Sequence, residues 1–163
     1  MKKSVVVLTS MLAISISTHA KANEQLIGTW RLVSLTQTIV ATNEKVDIFG
    51  KSPQGFINYG RDNRMMVLIV KDERPKPGSL EKMTDPERAE LFKTMIAYGG
   101  TYTIEGKTIT HHIDISSNEV WTGTNQVRNI KFDGRKVILT TNPQPRPQDG
   151  KVAISTLTWE KLE

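Results

Sequence analysis

The chain has no cysteine. Disulfide staples, thiolate nucleophiles and cysteine-ligated metal centres are therefore excluded, and the fold must stand on its packed core. Aromatic residues are scarce, 6% of 163 positions, with three tryptophans and three tyrosines, which argues against a large aromatic-lined pocket. No apolar run reaches the ~20 residues that a spanning helix needs. A basic stripe is missing as well: 22 Lys and Arg stand against 17 Asp and Glu, scattered along the chain, so no nucleic-acid partner is expected. Neither a G-x-S-x-G elbow nor a phosphate-binding glycine loop is present.

What is there begins with a targeting signal. Lys2 and Lys3 precede an apolar stretch from Val5 to Ile16, and Ala20-Lys21-Ala22 offers small residues at the positions that a signal peptidase reads. Residues 1–22 are expected to be a cleaved secretory signal, with Asn23 as the new N-terminus; cleavage after Ala20 is the alternative. No cysteine follows to carry a lipid anchor. The mature residues 23–163 are enough for one domain with a real core, and no transmembrane segment remains in them. Losing Lys2, Lys3 and Lys21 reduces the formal charge of +5 to near +2, so the high pI is partly a property of the signal. The destination is the periplasm or the exterior.

The mature sequence reads as strands. "LIGTWRLVSL" is rich in strand formers, and "QGFINYG" and "RMMVLIVK" flank an "RDN" hairpin turn. "GTYTIE", "TITHHIDIS", "VWTGTNQVRNIKF", "KVILTTN" and "KVAISTLTWEKL" continue the pattern, joined by "GK" and "DGR" turns and one proline-rich connection. One segment has helical period. Thr84 and Glu87 have capping-box spacing and Pro86 sits near the first turn. Leu91, Phe92, Met95 and Ile96 make an apolar face, and Gly99-Gly100 is the expected stop. About eight strands with tight turns and one short amphipathic helix predict an all-β antiparallel barrel or sandwich in a single domain.

Strand parity assigns faces. Ile109, His111, Ile113 and Ile115 share the inner face of their strand, while His112 and Asp114 look outward. The two adjacent histidines cannot hold one metal from a regular strand, and no carboxylates complete such a site; no metal and no cofactor are expected. In the next strand Ile130 and Phe132 carry Arg128, Gln126, Thr124 and Thr122 inward with them. An inward guanidinium needs partners. Either the interior holds water and an anionic or carbonyl-bearing ligand, or Arg128 reaches solvent at the barrel mouth. Ile57 with Tyr59, Tyr102 with Ile104, and Met65 with Met66 complete the apolar lining. Tyr59, Met65, Tyr102, His111, Trp121 and Arg128 are the candidate ligand-binding residues.

Taken in order, "LIGTWRLVS", "FGKSPQGFINYGRDNRMMV", "YGGTYTIEGKTITHHIDIS", "WTG", Arg128 and "LTWEK" resemble the lipocalin-like domain family across nearly the whole mature chain. Glu119 and Val120 depart from the pattern, since family members often carry a proline just before this tryptophan. The resemblance implies an eight-stranded antiparallel lipocalin-like barrel with an interior cavity. It implies little about chemistry, because function resides in the site.

Three functions fit. The first is binding of a small hydrophobic molecule with a polar or anionic end, Arg128 gripping that end and His111 beside it. The second is a cofactor-independent isomerase or cyclase with His111 as the acid–base group. The third is an envelope interaction protein whose barrel is filled by its own side chains. Binding is the favoured reading, which makes an enzyme the less favoured one; the sequence does not name the ligand or the oligomeric state.

Overall fold

The computed structural model describes residues 24–162, and the expected signal at residues 1–22 lies outside them. In chain order the elements are β1 (Gly28–Ile39), β2 (Lys45–Asp47), β3 (Gln54–Tyr59), β4 (Arg64–Val70), α1 (Asp85–Lys93), β5 (Met95–Glu105), β6 (Thr108–Ser116), β7 (Asn125–Asp133), β8 (Lys136–Thr140), β9 (Gln144–Pro145) and β10 (Val152–Lys161). Strands β1, β3, β4, β5, β6, β7, β8 and β10 pair in that order, all antiparallel, and β10 pairs back onto β1. The result is a closed eight-stranded barrel with no free edge among those strands. The short β2 and β9 pair with the mouth ends of β1 and β10.

Alternation places the core. In β3 and β4, Ile57, Tyr59, Met65, Val67 and Ile69 are buried while Phe56, Met66 and Leu68 are exposed. Met66, expected in the lining with Met65, is 66% exposed because neighbouring residues of a strand face opposite sides. The floor is closed by a helical turn at residues 24–26. Leu26 is completely buried there, and its carbonyl accepts a 2.7 Å hydrogen bond from Nε1 of buried Trp30. Lys161 lies 5.1 Å from the centre of the Trp30 ring and donates to the Gln25 carbonyl, a cation–π contact that covers the plug. Each fully buried Leu, Ile or Val stabilises the fold by roughly 1.5–3 kcal/mol before chain entropy is counted.

The helix begins as its sequence dictates. The Glu87 amide donates to Thr84 Oγ1, and the Thr84 amide donates to Glu87 Oε2 at 2.8 Å, a complete capping box. The Thr84 amide and then the Thr84 hydroxyl, both donating to Glu87 Oε2, hold the Glu87 carboxyl below its ordinary pKa. Its end differs from expectation. The helix stops at Lys93, where Thr94 Oγ1 donates to the Glu90 carbonyl, and Met95, Ile96, Gly99 and Gly100 belong to β5. None of its residues is buried, so it is not an amphipathic helix packed on a core. Gly99-Gly100 lies opposite a bulge in β6, where Asp114 is the extra residue, and is not a helix stop. A Cβ on Gly100 would collide with the His112 carbonyl, so the site requires a residue without one. The bulge also shifts register, leaving Ile115 outside at 67% exposure instead of on the face of His111.

Candidate functional site

A cavity of about 580 Å³ opens at the mouth end of the barrel. Its walls combine apolar side chains, Ile57, Val67, Leu139 and Leu157 among them, with neutral polar ones such as Gln37, Gln126 and Ser155, and Phe92 and Lys93 at the end of α1 border it. Among the described residues no Asp or Glu lines it, whereas Arg128 does. Parity carries Arg128 inward from β7, as expected, with Gln126 above it and Ile130 below. Thr122 and Thr124 do not share that face in a strand. Glu119–Trp121 is a short 3-10 helix, β7 starts only at Asn125, and Thr124 is exposed.

Arg128 is half-buried. Nη2 donates to Gln126 Oε1 at 3.1 Å and Nη1 to the Val127 carbonyl at 2.9 Å. Among the described residues no carboxylate pairs with it. A cation that is partly removed from water and satisfied only by neutral oxygens has the chemistry to receive an anion or a strong acceptor.

Beside it lies a polar chain built from scarce residues. All three tyrosines of the protein converge around His111. Tyr59 Oη is 2.8 Å from His111 Nε2 and Tyr98 Oη is 3.0 Å from Nδ1. Tyr102 packs edge-on against Tyr59 with ring centres 5.0 Å apart, and its hydroxyl donates to the Gly60 carbonyl. Trp121 stands edge-on to Tyr98 at 5.9 Å. His111 is buried. Burial, then the nearby Arg128 charge and then His112, push its pKa down to about 3, so the ring is neutral at pH 7. Burial raises Tyr59 well above its ordinary pKa and raises Tyr98 also; both phenols keep their protons.

Those protonation states fix the direction of the chain. A neutral imidazole has one donor and one acceptor nitrogen. Tyr59 is fully enclosed and its hydroxyl has His111 as its hydrogen-bond partner. Its O–H therefore donates to Nε2; the other tautomer would strand that proton at a cost of about 1–3 kcal/mol. Nδ1–H then donates to Tyr98 Oη, and the Tyr98 O–H is left for the cavity that Tyr98 lines. A fixed hydroxyl donor and a guanidinium thus serve one space.

Of the residues singled out from sequence, His111, Trp121 and Arg128 line the cavity. Tyr59 stands behind His111 and orients it, and Tyr102 packs against Tyr59. Met65 is a core residue that borders a separate depression beside Gly60, Gly99 and Gly100. His112 faces outward, between Thr103 and Asn125. Tyr98 escaped the sequence reading because its segment has helical period; strand alternation with Ile96 and Tyr102 is the signal that finds it. Gln37 and Trp159, which also line the cavity, carry buried polar atoms without partners, Oε1 and Nε1.

The sequence matches the lipocalin-like domain family over residues 27–162. A curated relative from Aspergillus oryzae, named a 4'-hydroxy-3'-methoxypropiophenone carrier protein, is 33% identical over 48% of this chain and 78% of its own length. A lipocalin-like protein of known structure from Bacteroides uniformis aligns over 85% of this chain and 99% of its own, at 12% identity and a TM-score of 0.45.

Proposed function

The chain belongs to the lipocalin-like domain family, and on that premise we propose that it is an exported carrier of a small, mostly apolar molecule with one anionic or carbonyl-bearing end. The observation that carries this reading is Arg128, half-buried in a mostly apolar cavity with no carboxylate beside it among the described residues. The ligand's acceptor takes the Arg128 N–H groups and the Tyr98 O–H, and its apolar part lies against Leu139, Leu157 and Val67. A cavity of about 580 Å³ suits a single small molecule. The Aspergillus relative is named for carrying an aryl ketone, and a ketone oxygen is an acceptor of the kind this pair would hold. Export rests on the charged, apolar and small-residue pattern of residues 1–22.

Calorimetry with 4-phenylbutanoate and with 4'-hydroxy-3'-methoxypropiophenone tests the binding. Saturable heat is expected for at least one of them, weakened about tenfold or more in Arg128→Ala. No heat from either, and no thermal shift across a panel of apolar acids and aryl ketones, would count against a carrier. Export is tested by the mass of protein recovered from the periplasm of a bacterial host, expected to begin at Asn23. The isomerase alternative makes a different demand: a bound ketone would be converted, and conversion would vanish in His111→Gln while binding persisted.

A further inference from the structure

Trp159 is the second tryptophan of the barrel floor, and its environment differs from that of Trp30. The Trp30 Nε1–H has the Leu26 carbonyl at 2.7 Å. Among the described residues the Trp159 Nε1–H has no partner, although the residue is 0% exposed and forms part of the cavity wall. Its neighbours across β1 and β8 are Leu32 and Val137, which offer no side-chain acceptor. Buried indole N–H groups are normally paired, so a donor left open on a cavity wall is complementary to something inside the cavity.

Its depth defines what that something is. Asn129, next to Arg128, pairs with Thr140, and the following residue, Thr141, donates its amide to the Ser155 carbonyl. Trp159 lies four residues further along β10 toward the floor, a separation of about 13 Å along the strand. Apolar wall lies between the two donors, and among the described residues no acidic side chain lines the cavity.

Resting on the carrier reading, we infer that the ligand is two-ended: an apolar, aryl-sized body with one acceptor held by Arg128 and Tyr98 and a second, neutral acceptor such as a carbonyl or ether oxygen held by Trp159 Nε1. A simple amphiphile, whose hydrocarbon end would face Trp159, leaves that donor unpaired and is the poorer ligand.

The test compares 4-phenylbutanoate with 4-(4-acetylphenyl)butanoate on the full chain. Calorimetry is expected to give the acetyl compound about tenfold higher affinity. Trp159→Phe should abolish that preference, bringing the ratio of the two affinities to about one. A second readout needs no variant at Trp159. With ¹⁵N-labelled tryptophan, the Trp159 indole signal, assigned by elimination with Trp30→Phe and Trp121→Phe, should shift with the acetyl compound and stay still with its parent. Equal affinities with a stationary Trp159 signal would overturn the inference and leave the carrier reading intact, as would a water molecule holding the donor throughout. Binding of neither compound would overturn both.

Discussion

At the floor of the barrel Leu26, Trp30, Val137 and Trp159 are almost completely enclosed, and the plug is covered by Lys161. At the mouth, Ile96, Tyr98 and Trp121 are half-buried, Phe92 is 53% exposed and no residue of α1 is buried. Floor residues are packed on nearly all sides, Trp159 alone of these four also lining the cavity; mouth residues border the cavity and solvent. Stability is therefore concentrated at the floor and the charged part of recognition toward the mouth, with the Tyr59–His111–Tyr98 chain joining them and Trp159 the one floor residue that faces the cavity. The strands run through both ends, so the division comes from side chains alone.

Substitutions can break this comparison. The largest expected effect is at the floor: Trp30→Ala should lower stability by about 3–5 kcal/mol, measured by urea unfolding. A loss that small mouth substitutions match would mean the floor has no special weight. Next is Arg128→Ala, which should weaken 4-phenylbutanoate binding about 10- to 100-fold while the unfolding midpoint stays nearly constant. A large loss of stability there would make Arg128 a structural group.

The chain between the two ends is probed by pH. His111 has its folded pKa pushed below its ordinary value of 6.5 to about 3. Between those values the unfolded chain binds a proton that the folded one refuses. Stability from this residue is therefore complete above pH 6.5 and falls as the pH drops, by roughly 1.4 kcal/mol per unit. Unfolding at pH 7.5 and 5.5 should show this drop in the wild type and a reduced one in His111→Gln; identical slopes would contradict an enclosed, neutral His111. The smallest effect belongs to the mouth helix. Thr84→Ala should cost α1 about 1 kcal/mol, seen as faster amide exchange in Asp85–Lys93 with the barrel unchanged.

Much of the barrel was legible in the sequence because strand period and turn chemistry agree. The β6 run alternates strictly enough to separate His111 from His112, and Gly106 and Gly134 supply the left-handed turn positions that the hairpins need. Thr84 and Glu87 marked the helix start by local hydrogen bonding alone. The reading failed where two periods overlap or where register is set by tertiary contact. Leu91-Phe92 and Met95-Ile96 have helical spacing, yet the last two join β5, because pairing with Val70 and Ile69 of β4 outweighs a local preference. The bulge opposite Gly100 and the short helix before β7 depend on close backbone contacts, which moved Ile115, Thr122 and Thr124 off the inner face. An unpaired indole such as that of Trp159 leaves no mark in a sequence at all, since it is defined by what fails to surround it.

The most direct measurement is made on protein recovered from the periplasm of a bacterial host, comparing native with denaturing mass spectra. The account predicts an added small-molecule mass that disappears on denaturation and is absent from Arg128→Ala. Identical native and denatured masses, together with no thermal shift from any apolar acid or aryl ketone, would contradict it and mark the cavity as space that carries nothing.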